Sequence, residues 1–135
     1  MPVASVSLTN LPGTEAAIGR AGSHCIIVDR PEGNAGGLGL GFNGAQLLAL
    51  AIGGCFCNDL RYIAHRRGLG IASLAVRVDL SLEGDPLIAT GANLAVRCTL
   101  EDGSDPGPLI DEARESSMVG CSLPRGIPVS VGQGV

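Results

Sequence analysis

The 135 residues suit a single domain spanning 1–135, and a hydrophobic share of 45% against 16% charged excludes a disordered chain. The net charge is −4, and all nine basic residues are arginines, with Arg66 and Arg67 the only adjacent pair. A nucleic-acid binder carries a basic stripe interleaved with stacking aromatics, and with aromatics at 2% this chain has neither.

Val, Ile, Leu and Ala must therefore build the core. A chain this short and apolar leaves hydrophobic surface for a partner subunit to cover. Met1 to Thr9 lack the basic segment and apolar core of a secretory signal. The apolar run from Gly44 to Phe56 is shorter than the ~20 residues that span a membrane. The expectation is a cytoplasmic protein with no membrane partner. Structural disulfides are rare there, so the five cysteines read as free thiols, metal ligands or redox groups.

In chain order, Val3 to Leu8 alternates weakly and is the first expected strand. Leu11-Pro12-Gly13 turns the chain. Glu15 to Arg20 and Ser23 to Asp29 read as two strands of a hairpin around Arg20-Ala21-Gly22. The glycine-rich stretch from Pro31 to Gly41 reads as a flexible connector. Gly39 to Gly44 matches G-x-G-x-x-G, but a dinucleotide-binding loop follows its strand directly inside a βαβ unit, which this connector does not.

Asn43 is the expected N-cap of a helix running from Gly44 to about Arg67 and ended by Gly68. Its first half is apolar all round and is expected to be buried on all sides. In its second half Leu60, Ile63 and Ala64 face inward, with Arg61, Arg66 and Arg67 outside. Gly53 and Gly54 each cost about 1 kcal/mol against alanine in a helix. The flanking pattern nonetheless predicts continuation, the glycines letting another backbone approach.

Ile71 to Leu82 alternates, with Leu74, Val76, Val78, Leu80 and Leu82 on one face, the mark of a half-buried strand. Gly84-Asp85-Pro86 turns the chain into a second long strand, Leu87 to Leu100. Leu109 to Met118 reads as a short helix on a Leu109, Ile110, Ala113 stripe. Cys121 falls at a helix-to-loop transition, and Ile127 to Val131 is a last short strand. Strands come in runs rather than alternating with helices, which predicts an α+β fold with antiparallel pairing.

Of the cysteines, Cys55 follows Gly53-Gly54 within the buried helix. A buried thiol commonly acts as a small hydrophobe, and reactivity requires a cation or dipole to favour the thiolate. Mid-helix placement supplies no N-terminal dipole, so an arginine from elsewhere is needed. Cys57, two residues on, points away from Cys55, and no disulfide joins them. Cys25 and Cys98 are read as core residues of strands. Cys121, beside Gly120, is placed to meet another thiol. A metal site drawn from Cys55, Cys57, His24, His65 and Cys121 is disfavoured, because C-x-C on a helix diverges. Asp59, Arg61, Tyr62 and His65 read as a solvated face, with Asp59 or Tyr62 lining a pocket near Cys55 as the sharper alternative.

The segment GFNGAQLLALAIGGCFCNDLRYIA resembles the central helix of the OsmC/Ohr family, with its glycine-rich approach and small residues before the cysteine. VGCSLPRGIPVSV resembles the segment carrying that family's second cysteine. The resemblance implies an α+β, OsmC-like fold, an antiparallel sheet with a long buried central helix, in an intertwined homodimer with its active sites at the subunit interface. It implies thiol-dependent reduction of organic hydroperoxides in oxidative stress defence. Cys55 would become a sulfenic acid, Cys121 would condense with it, and a dithiol reductant (a lipoylated protein or thioredoxin) would restore the pair. Arg20 matches the family's arginine. No cofactor or metal is implied. The family's glutamate is missing, its place taken by Ala45 after Gly44, and Ser122 follows Cys121 where many members have proline. The alternative is a degenerate member that binds a small apolar ligand at the dimer interface.

Overall fold

The computed structural model describes residues 1–134. Two compact units form, Met1–Leu48 and the residues from Ala49 onward.

The first unit is a three-stranded antiparallel sheet, β1 (Ser7–Asn10), β2 (Ala17–Ala21) and β3 (His24–Val28), in sequential order. Gly22, at φ +59°, makes the β2–β3 turn. The first strand starts later than the alternation predicts, because its pairing runs from Ser7 opposite Arg20 to Asn10 opposite Ala17. Val3 and Val6 lie outside it and exposed.

The glycine-rich stretch is not the flexible connector expected. It folds around the buried carboxylate of Asp29. One carboxylate oxygen accepts the N–H groups of Leu38 (3.0 Å) and Leu40 (3.1 Å). The other accepts the backbone N–H of Arg30 (2.8 Å) and its guanidinium (3.3 Å). These donors hold the Asp29 carboxyl below its ordinary value of 3.8, the Leu40 N–H foremost, against the upward push of burial. The chain then runs back beside β3, with Phe42 N–H donating to Ile27 and Asp29 N–H donating to Phe42. Gly41 must be glycine, since a Cβ there would stand 2.0 Å from the Ile27 carbonyl oxygen. Composition reveals glycines; it does not reveal the side chain they wrap.

The helix α1 (Gly44–Arg66) starts at a capping box. Asn43 Oδ1 accepts the Gln46 N–H (2.9 Å) and Gln46 Oε1 accepts the Asn43 N–H (3.0 Å). It stops in a Schellman turn, Gly68 N–H to His65 and Leu69 N–H to Ala64, with Gly68 at φ +67°. The helix continues through both glycines, as the pattern predicts. Gly53 admits Val78 of the neighbouring strand, whose Cγ2 would stand 2.8 Å from an added Cβ.

With 23 residues and a mean hydropathy of 1.3 in its most apolar window, α1 is longer than the apolar run alone implied and meets the minimum for crossing a membrane. Its inward residues serve a protein core instead. Its first half departs from the expectation of all-round burial: Leu50 is 48% exposed, and Gly54 has open space beside it.

The second unit is built on a two-stranded antiparallel ribbon, β4 (Ile71–Glu83) and β5 (Ile88–Leu100). Leu74, Val76, Val78 and Leu80 of β4 turn inward in alternation, as do Leu94, Val96, Cys98 and Leu100 of β5. Of these, Leu74, Val76, Leu94, Val96, Cys98 and Leu100 meet Phe56, Leu60, Ile63 and Ala64 of α1, and Leu109 and Ala113 of α2 (Gly107–Ser116). Leu60 is wholly buried at the centre of this cluster. Glu112 of α2 pairs with Arg66 and with Arg67 (2.7 Å), fastening α2 to the end of α1.

Two expectations fail at the C-terminal end. Cys121 lies within a short helix, α3 (Met118–Ser122), rather than at a helix-to-loop transition; a 3-10 turn at Leu123–Arg125 follows. Ile127 to Val131 is not a strand, because among the described residues no strand lies alongside to pair with it. Its alternating Ile127, Val129 and Val131 are exposed.

Candidate active site

All five cysteines are free thiols. Cys55 stands half-buried on α1, two residues past the close approach of Gly53 to β4. Its thiol donates to Asp59 Oδ2 at 3.5 Å, the i, i+4 neighbour on the same helix face. Asp59 thus stands beside Cys55, though it lines none of the hollows described below. Tyr62 instead points to solvent, 71% exposed.

On its other side, the Cys55 sulfur accepts a hydrogen bond from the Ser117 hydroxyl at 3.5 Å. Ser117 is 3% exposed and is the single extended residue (φ −62°, ψ 122°) between α2 and α3. Its backbone carbonyl accepts the N–H of Cys121 (2.8 Å), and the exposed Cys121 thiol donates to the Glu115 carbonyl (3.3 Å). One residue thus holds the Cys55 sulfur through its side chain and the start of the Cys121 helix through its backbone. Sequence reading missed Ser117, since a serine at a helix junction reads as a capping or turn residue.

A hollow of about 400 Å³ opens beside Ser117, with a floor of Ile52, Phe56, Leu94, Val96 and Ile110 and with Arg114 on its wall. Its mixture of apolar floor and few polar groups is the composition of a small-molecule site.

Cys57 and Cys98 are half-buried, and burial pushes both thiols above the ordinary value of 9.0, with the Arg61 charge pulling the other way. Cys98 fits the expected core role. Cys25 does not: it is exposed, because β3 carries only part of its surface under cover.

Arg20 belongs to the first unit. It lies opposite Cys25 in the β2–β3 register, and its guanidinium donates to Thr9 Oγ1 (3.1 Å). It borders a second, strongly apolar hollow of about 290 Å³ over the same sheet, lined by Leu8, Ile26, Val28 and Leu47. Among the described residues no three His, Cys, Asp or Glu side chains are grouped to hold a metal ion.

Residues 36–132 match the family model described as OsmC-like protein. Solved structures share the fold. An OsmC-like protein of unknown function from Vibrio cholerae superposes with a TM-score of 0.76 at 13% identity, over 91% of this chain and 94% of its own. An OsmC-like protein from Mycoplasma pneumoniae gives 0.74 at 16%, over 91% and 88%. An organic hydroperoxide resistance protein OsmC from Legionella pneumophila gives 0.62 at 17%, over 91% of each chain. No curated protein sequence matches.

Proposed function

Because the chain belongs to the OsmC-like protein family, we propose that it reduces organic hydroperoxides through its thiols, with Cys55 the attacking residue and Cys121 the resolving one. The observation that carries this reading is Ser117, which hydrogen-bonds the Cys55 sulfur and caps the helix bearing Cys121. The Legionella pneumophila structure described as an organic hydroperoxide resistance protein supports the same chemistry.

In the first step the Cys55 sulfur attacks the distal oxygen of ROOH. The S–O bond forms, the O–O bond breaks, and the electron pair leaves on RO⁻, which is protonated to ROH. The sulfenic acid then condenses with Cys121, releasing water and forming a disulfide. A dithiol such as a lipoylated protein or thioredoxin returns the pair to thiols. The apolar floor beside Ser117 suits an alkyl or aryl group, which favours organic peroxides over hydrogen peroxide. Arg20 is the cation proposed to favour the thiolate, delivered within a homodimer. Leu50 and the alternating Ile127, Val129 and Val131 supply uncovered apolar surface for such a partner.

A second reading, binding of a small apolar ligand without turnover, draws on the apolar hollow over the first sheet and on Ala45 in place of the family's acid. One comparison separates the two: reduction of cumene hydroperoxide with a dithiol, wild type against Cys55→Ser. The expected result is turnover that disappears in the variant. Folded, reduced protein that turns over none of several organic peroxides would remove the enzyme reading and leave the binding one.

A further inference from the structure

The Cys55 sulfur sits between one acceptor and one donor, the Asp59 carboxylate and the Ser117 hydroxyl, each at 3.5 Å. We infer that Asp59 is the proton acceptor and donor for Cys55, and that Ser117 steadies the sulfur anion this transfer creates. This deepens the peroxidase reading and rests on it for the choice of substrate.

The chemistry follows from the arrangement. Moving the proton from sulfur to Asp59 leaves the pair's total charge unchanged, so no charge is created in a half-buried site. A hydroxyl that donates to sulfur is worth most when the sulfur is anionic, which biases the pair toward proton on oxygen and charge on sulfur. Ser117 is held to this task by its burial and by the backbone junction it occupies. The atoms balance over the step. Cys55 S–H gives its proton to Asp59. The thiolate takes OH from ROOH, and the sulfur is oxidised by two electrons as the O–O bond is reduced. The neutral Asp59 then protonates RO⁻ and returns to carboxylate. An acid is thus supplied one turn after the cysteine on α1, in a chain whose position 45 is alanine.

The test reads the sulfur without using peroxide. The rate of Cys55 alkylation by iodoacetamide at pH 7, followed by fragment-ion mass spectrometry that separates Cys55 from Cys57, is compared across wild type, Asp59→Asn, Ser117→Ala and Ser117→Thr in the full reduced chain. Asparagine keeps the size and an acceptor oxygen but takes no proton, so alkylation slows by about tenfold or more. Ser117→Ala slows it by roughly twofold to tenfold, the worth of one hydrogen bond, and threonine restores the rate because it keeps the hydroxyl. Circular dichroism confirms folding of each variant.

An Asp59→Asn rate equal to wild type overturns the inference. So does a faster one, which is the outcome if the carboxylate only repels a sulfur anion. Equal slowing by alanine and threonine at 117 removes the hydroxyl's role. Slow alkylation in Asp59→Asn, alongside a wild type that reduces no peroxide, leaves the proton transfer standing and removes the peroxidase reading alone.

Discussion

Replacing Gly53 by alanine sets two known energies against each other at one contact. An alanine in the helix interior gains about 1 kcal/mol over glycine from propensity alone. The added Cβ, however, stands 2.8 Å from Val78 Cγ2 and 3.8 Å from Val76 Cγ1. Carbon atoms prefer separations of about 3.5–4.0 Å. Val78 is β-branched, stiff about its first side-chain torsion and half-buried, so it cannot swing clear as a long side chain would. Such overpacking costs roughly 1–3 kcal/mol. The net expectation is destabilisation of up to about 2 kcal/mol, the sign opposite to propensity.

Val78→Ala removes the obstructing methyls, so in the double variant the alanine at 53 recovers its propensity gain. The cycle should therefore show a favourable coupling of about 1–3 kcal/mol, well outside the ~0.5 kcal/mol within which independent sites add. Urea unfolding midpoints of wild type, the two single variants and the double variant measure it. Additive effects, or a Gly53→Ala protein more stable than wild type, would refute the packing argument and leave Gly53 without a structural reason.

Two further outcomes follow from the acid–base properties of buried groups. Asp29 has its carboxyl lowered in the folded state, so its contribution is full above the ordinary value of 3.8 and is lost as the pH falls through the lower folded value. Asp29→Asn should flatten the loss of stability below about pH 4, leaving the slope from Asp102, which is also lowered, chiefly by the Ser104 hydroxyl. Identical acid limbs in thermal melts of the two proteins would sink this. Cys57 and Cys98, with thiols pushed up by burial, should be alkylated last in a time course at pH 8, after the exposed Cys25 and Cys121. Peptide mass spectrometry reads the order directly, and early labelling of Cys98 would contradict its place against the core.

Elements whose hydrogen bonds and burial are local could be read from sequence. The long helix with its Asn43 start and Gly68 stop, the alternation of β4 and β5, and the Leu109–Ala113 stripe all follow from spacing along a few turns or strands. What was lost depends on neighbours far along the chain. Ile127 to Val131 alternates like a strand, yet a strand exists only beside another. The glycine-rich stretch looks formless until Asp29 is seen to gather its N–H groups. In the proposed site, Cys55 and Cys121 come from the family resemblance, and the contact of Asp59 with Cys55 follows from the i, i+4 rule. Ser117 was not legible, for its partner lies 62 positions away.

The brevity of the link between Ser117 and Cys121 has a kinetic meaning. With Ser117 anchored at the Cys55 sulfur, the second thiol hangs on a leash of four residues, even if α3 unwinds completely. Fully extended, that leash reaches ~14 Å, which confines the thiol to a volume equivalent to a local concentration on the order of 100 mM. Small soluble thiols at millimolar levels are outnumbered there. In the proposed cycle, an electrophilic sulfur formed at Cys55 would therefore be captured by the chain's own cysteine before a stranger arrives, and the product would be an internal disulfide rather than a mixed one.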